Sequence, residues 1–192
     1  MNEAGALRQI LTLAGCYVAA TIVCAMLFVA AMNAPPFTGM PILFFRGVAA
    51  LVVCGFATAA ILGVAARRLA ALSLRASDVA GAVVTAIALN LCFFTLGPVT
   101  VDRSISVFML SRFERADHPL AVGDIAGDFT RIYVGEWDQM SRRFDEQVAS
   151  GNLEKSGDGY RLTPRGRAFM NTARWMARLY ATDPRFVGLD RE

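Results

Sequence analysis

Aspartate, arginine and serine stand together at 102–104, directly after a long uncharged stretch, where residue types and spacing suggest chemistry. A guanidinium and a hydroxyl can hold a phosphate between them, and an adjacent carboxylate can accept a proton. Asp102, Arg103 and Ser104 therefore define a candidate lipid-phosphate site at a membrane interface, although a polar stop after a span would use the same letters. Arg46, near the start of another apolar stretch, is a second head-group candidate, because its aliphatic stem lets the charge reach the interface. Other catalytic constellations are missing from the sequence. His118 is the sole histidine, and there is no Ser-His-Asp order and no G-x-x-x-x-G-K-[ST] phosphate loop. Cys16, Cys24, Cys54 and Cys92 all fall inside apolar stretches without C-x-x-C spacing, so neither a metal site, a cofactor nor a disulfide framework is expected. The chain reads as a non-enzyme.

The elements that must position these residues are hydrophobic. Between Arg8 and Asp102 the only charged residues are Arg46, Arg67, Arg68, Arg75 and Asp78. They separate stretches 10–32, 42–66 and 79–101, each long enough to cross about 30 Å of hydrocarbon as a helix. The expected architecture is a mainly α membrane protein. A three-helix transmembrane module (1–101) precedes a small α+β domain (102–182) and a tail (183–192). The first stretch exceeds the apolar core of a signal peptide and reads as an uncleaved anchor. Basic residues are almost all arginine, which points towards a bacterial genome and an inner-membrane location.

Residues 33–41, rich in Pro and Gly, predict a tight turn between the first two spans. Arg8 precedes the first span, and Arg67, Arg68 and Arg75 occupy the second loop, which favours a cytoplasmic N-terminus. The opposing charges Arg46, Arg103, Arg112 and Arg115 nearly balance that count, but the first helix usually dominates orientation. The soluble domain is accordingly expected outside. Gly55, Ala59 and Gly63 recur at intervals of four and predict a close-packing face, within the module or against another membrane protein. Asn90, midway along the third span, should hydrogen-bond a neighbouring helix.

In the soluble half, periodicity predicts helices over 104–114, 122–129 and about 137–150. Short strands at 152–155 and 160–162 flank Ser156-Gly157-Asp158-Gly159, a hairpin signal. Thr163-Pro164 then opens a last helix to about residue 181. This order resembles a winged helix. Pro119-Leu-Ala-Val-Gly-Asp-Ile-Ala126 is similar to the second helix of MarR- and PadR-type regulators, and Gly151-Asn-Leu-Glu-Lys with Tyr160-Arg-Leu-Thr-Pro-Arg-Gly166 resembles their wing and returning helix. The resemblance covers residues 105–169 and implies a winged-helix-like fold, which hosts both DNA readers and protein-interaction modules.

The charge pattern favours protein over nucleic acid. On the would-be reading helix Arg142 and Arg143 face Asp138, Asp145 and Glu146, and phosphate binding needs a net basic face. The long turn 130–136 offers Ile132, Tyr133 and Val134, so the expected interaction surface is Ile132, Tyr133, Trp137, Arg142 and Arg143, with burial against the helix at 104–114 as the alternative. Residues 159–182 hold five arginines and no acid, which makes the last helix a basic amphipathic element. It is either core-facing or apposed to anionic lipid. Three functions remain in play. The leading one is an accessory or assembly subunit, bound to the bilayer and to a larger integral membrane protein. The alternatives are a membrane-tethered DNA-binding regulator and a lipid-phosphate enzyme.

Overall fold

The computed structural model describes residues 3–69 and 73–188. Three helices are long and apolar enough to cross a membrane: Glu3–Met32, Leu43–Arg68 and Ala76–Arg103. The chain divides into two compact units, Met1–Val107 and Phe108–Glu192, a boundary six residues beyond the one expected.

In the first unit α1 spans Glu3–Met32, and the expected turn contains one helical turn, α2 (Pro35–Thr38), opened by its prolines. Helix α3 spans Leu43–Arg68. Helix α4 (Ala76–Phe94) starts where the Arg75 backbone N–H donates to the Asp78 carboxylate at 2.8 Å, which places a negative charge on the helix's positive end. The third span then widens into a π-helical stretch, Thr95–Val99, before a last turn, α5 (Thr100–Arg103). Pro98 lies inside that stretch and has no N–H to donate; widening the turn accommodates the ring that would otherwise meet the carbonyl four residues back.

The three long helices meet along narrow stripes. Helix α1 contributes Cys16, Ala20, Cys24 and Phe28, and α4 contributes Ala82, Ala86, Asn90 and Phe94, each set at intervals of four. Helix α3 contributes Gly47, Ala50, Leu51, Cys54, Gly55 and Thr58. Lipid tails are as apolar as any side chain, so helices in lipid associate through close van der Waals packing, and small residues permit it. The Phe28 and Phe94 rings meet edge to face at 5.3 Å, and a Cβ at Gly47 would overlap the Phe94 ring.

In the second unit the order is α6 (Ile105–Glu114), α7 (Val122–Asp128), a π-helical stretch (Phe129–Glu136), α8 (Gln139–Ala149), the hairpin strands β1 (Leu153–Ser156) and β2 (Gly159–Leu162), and α9 (Pro164–Leu179). Helix α6 begins in the first unit and continues into the second. The strands pair antiparallel with Leu153 opposite Leu162 and Ser156 opposite Gly159, so Gly157-Asp158 alone forms the turn. Gly157 (φ +60°) has the left-handed conformation a two-residue hairpin turn requires. Thr163 joins hairpin to helix. Its hydroxyl donates to the Gly151 carbonyl at 2.7 Å and accepts from the Gly166 N–H at 3.0 Å, capping α9 with Pro164 in the first turn. Gly166 sits so close to the Asn152 carbonyl that a Cβ would overlap it. The tail expected over 183–192 contains a 3-10 turn, Pro184–Val187; residues 189–192 lie outside the described residues.

Candidate interaction surfaces

The segment 130–136 was expected as an exposed turn with Ile132 and Tyr133 at a binding surface. It is helical, with Ile132 buried, Tyr133 and Val134 half-buried and the remaining residues exposed. The wider π turns align Phe129, Tyr133 and Trp137, and Phe108 from α6, only 4% exposed, enters among them at centroid distances of 6.0, 5.3 and 5.4 Å. Phe129 and Tyr133 stack at 4.9 Å. Ile132 is buried and Tyr133 half-buried against Phe108, whereas Trp137 keeps half of its surface in contact with solvent. Of the two expectations for this segment, contact with the helix over 104–114 is the one seen here, through Phe108.

Ion pairs flank this cluster. Arg112 Nε of α6 meets Asp128 Oδ2 at 2.7 Å, and Arg131 joins Asp128 at 2.9 Å and Glu136 at 2.7 Å. Hydrogen bonds from Arg131 and Arg112 hold the Asp128 carboxyl below its ordinary range. Arg142 and Arg143, also expected at the surface, are drawn onto Glu146 one turn further along α8, at 3.5 and 2.7 Å. Glu146 is buried and takes both guanidinium groups, while Arg143 also hydrogen-bonds Tyr133. The two arginines therefore serve the domain's own packing.

Where α8 meets the hairpin a different surface is exposed. Met140 and Phe144 are one turn apart on α8, and the Phe144 ring packs on Tyr160 of β2 at 4.7 Å. Leu162 lies two residues from Tyr160, on the same face of the strand. All four stay more than a third exposed in this structure. The period-four pattern in α8 marked Met140 and Phe144, but nothing in the sequence showed that their side would be left uncovered.

In the first unit the small-residue face divides. Gly55 packs against Ile87 of α4, 2.5 Å from where a Cβ would stand, but a Cβ at Gly63 would meet none of the described residues within 4 Å and Ala59 is only half-buried. The closest approach is at Gly47, which the interval-of-four search passed over. Gly63 instead borders a half-open cleft of about 500 Å³ with Arg67, Leu74, Arg75 and Val79, at the α3–α4 turn. Asn90 donates to the Ala86 carbonyl at 2.9 Å and to the Thr21 carbonyl of α1 at 3.3 Å, bridging two spans. Arg46 is half-buried, and its Nε is buried without a hydrogen-bond partner among the described residues. At the candidate phosphate site Ser104 accepts from the Val107 N–H at 3.1 Å and so caps α6; Asp102 and Arg103 occupy the last turn of α5. No cluster of three His, Cys, Asp or Glu side chains able to hold a metal ion occurs among the described residues.

No protein-family model, no curated protein and no solved structure matches this chain.

Proposed function

We propose that the protein is a non-catalytic accessory or assembly subunit of a bacterial inner-membrane complex. Its three spans pack on a larger integral membrane protein, and its winged-helix-like domain binds protein. The observation that carries this reading is the exposed apolar patch of Met140, Phe144, Tyr160 and Leu162, on the helix and wing that a DNA-binding relative would turn to a duplex. An aromatic and aliphatic surface suits a protein partner. The α8 arginines support the same reading, since their pairing with Glu146 opposes engagement of phosphate. Ala59 and Gly63, both half-buried on α3, offer a second helix a close approach. The charge flanks favour a cytoplasmic N-terminus and an extracytoplasmic domain.

The test is purification of the full chain in mild detergent, with Met140→Asp and Tyr160→Ser as paired variants. Both residues are exposed, so the fold should survive their change. A membrane protein that co-purifies with the unaltered chain and is lost from both variants supports the proposal; equal recovery overturns it.

A second reading, a membrane-tethered DNA-binding regulator, draws on one observation. Arg161, Arg165, Arg167 and Arg178, on the wing and α9, make no ion pair with a carboxylate among the described residues. It requires a cytoplasmic domain and micromolar duplex binding with a steep salt dependence. A phosphatase fused after Glu192 that is active separates the readings in favour of the first.

A further inference from the structure

Helix α9 was expected either to face the domain core or to meet lipid, and the described residues of its own unit leave its apolar side bare. Only Gly166 and Ala177 are buried in its 16 residues. Around the helix, the arc from Trp175 through Leu179 and Met176 to Phe169 and Tyr180 is at least half exposed at every one of these positions, and Tyr180 reaches 74%. Arg165 lies inside the apolar arc, and Arg178, Arg167 and Arg174, at i+11, i and i+7, follow beyond its Trp175 edge on the polar side of the helix. The 3-10 turn beyond, tied back by Arg174 Nε to the Val187 carbonyl at 3.3 Å, holds Phe186 at 89% exposure.

We propose that this face of α9 docks on an anionic lipid surface, with the aromatic and aliphatic arc entering the head-group region and the arginines pairing with lipid phosphates. Three features select that occupant. Residues 159–182 carry five arginines without one acid, complementary to an anionic leaflet. Trp and Tyr combine an apolar ring with a polar edge and favour the interface over either bulk phase. The same chain carries three membrane-spanning helices, so a bilayer is present at high effective concentration without a partner having to be recruited. A second copy of the face would bury Arg165 against another helix with no acid to meet it. A DNA duplex would satisfy the arginines and leave five large apolar side chains in water. The inference is independent of which protein the α8–wing patch engages.

The experiment uses the full chain reconstituted in vesicles of phosphatidylcholine, or of equal parts phosphatidylcholine and phosphatidylglycerol, with bromine near the top of the acyl chains. The chain has two tryptophans, so Trp137→Phe leaves Trp175 as the only emitter. Bromine should quench Trp175 about twofold or more in the anionic vesicles and little in the zwitterionic ones, and salt should reverse the effect. Each of Arg167→Gln and Arg178→Gln should lower the docked-to-free ratio about fivefold. Trp175→Phe, which leaves only Trp137, should show no quenching that depends on lipid charge. In the unaltered chain, amide exchange over residues 169–180 should slow in anionic vesicles, a readout that needs no variant. Quenching and exchange that are identical in the two vesicle types overturn the proposal. So does a blue-shifted emission that escapes bromine and follows the protein-to-lipid ratio, which would indicate a second copy. Protection produced by added duplex and not by anionic lipid would overturn it in favour of nucleic acid.

Discussion

The two units of this chain solve packing in opposite ways. In the first, the stripes where helices meet consist of Gly, Ala, Cys and Thr with a few larger residues at the ends, and the large side chains point outward: Phe56, Phe93, Met26 and Val84 are all more than half exposed. In the second, the interior is a knot of four large aromatic rings around Phe108, braced by ion pairs, and α9 keeps its apolar side outside. Lipid makes the first arrangement sound, because exposed apolar side chains are solvated by the tails and only close backbone approach distinguishes one packing from another. In water the same exposure is costly, so the bare patches of the second unit point to covering surfaces.

The largest effect expected from breaking that contrast is at Phe108. Truncation to Ala removes the ring on which Phe129, Tyr133 and Trp137 converge, and filled aromatic sites of this kind lose about 3–5 kcal/mol. Thermal melting of the full chain in detergent, followed by near-ultraviolet circular dichroism, should show the aromatic signal lost first while helicity of the spans persists. Simultaneous loss of both signals would mean that the units are not independent in stability.

Close packing in the first unit is tested by glycine. Gly47→Leu drives a side chain into the Phe94 ring and should cost about 3 kcal/mol, whereas Gly63→Leu extends into open space and should change thermal stability by less than about 0.5 kcal/mol. Equal stability of the two variants would remove the seam at Gly47 as the closest approach. If Gly63→Leu preserves stability but abolishes co-purification, the open part of α3 is a partner face.

Asn90→Leu should have a smaller effect. It removes the bond to the Thr21 carbonyl, and interhelical polar contacts in membranes average about 0.6 kcal/mol because alternatives exist in the unfolded state. A loss above about 2 kcal/mol in reversible unfolding would show that the Asn bridges more than its two carbonyls.

Much of this architecture could be read from the letters. The spans follow from the scarcity of charge, and the hairpin and the Thr163-Pro164 start follow from local chemistry that acts over three or four residues. Helix period was harder to read. The π turns at Thr95–Val99 and Phe129–Glu136 are not marked by the apolar spacing, although Phe129, Tyr133 and Trp137, four apart, share a face that meets Phe108. On α3 the interval of four selects Gly55, Ala59 and Gly63, while the buried stripe is Gly47, Ala50, Leu51, Cys54, Gly55 and Thr58, so the two share Gly55 and the stripe extends from there towards the start of the helix. The exposure of Met140, Phe144 and the α9 arc is a tertiary fact, set by what the described residues of their own unit leave uncovered.

The smallest effect is a pH dependence confined to the second unit. Asp128 receives Arg131 and Arg112, and these hydrogen bonds depress its folded pKa below the ordinary value near 3.8. A carboxyl with a lowered folded pKa binds its proton more readily when unfolded, so its contribution is complete above the unfolded value and is lost as pH falls through the folded one. Neutral pH should therefore leave the α6–α7 lock intact, and acid below about pH 4 should weaken it. Asp128→Asn should remove that part of the acid sensitivity and leave the unit less stable at neutral pH, with the spans unaffected. Urea unfolding of the full chain in detergent at neutral pH and in mild acid, read from the aromatic signal, is the measurement. A variant that keeps the same pH dependence as the unaltered chain would assign the acid response to carboxylates other than Asp128.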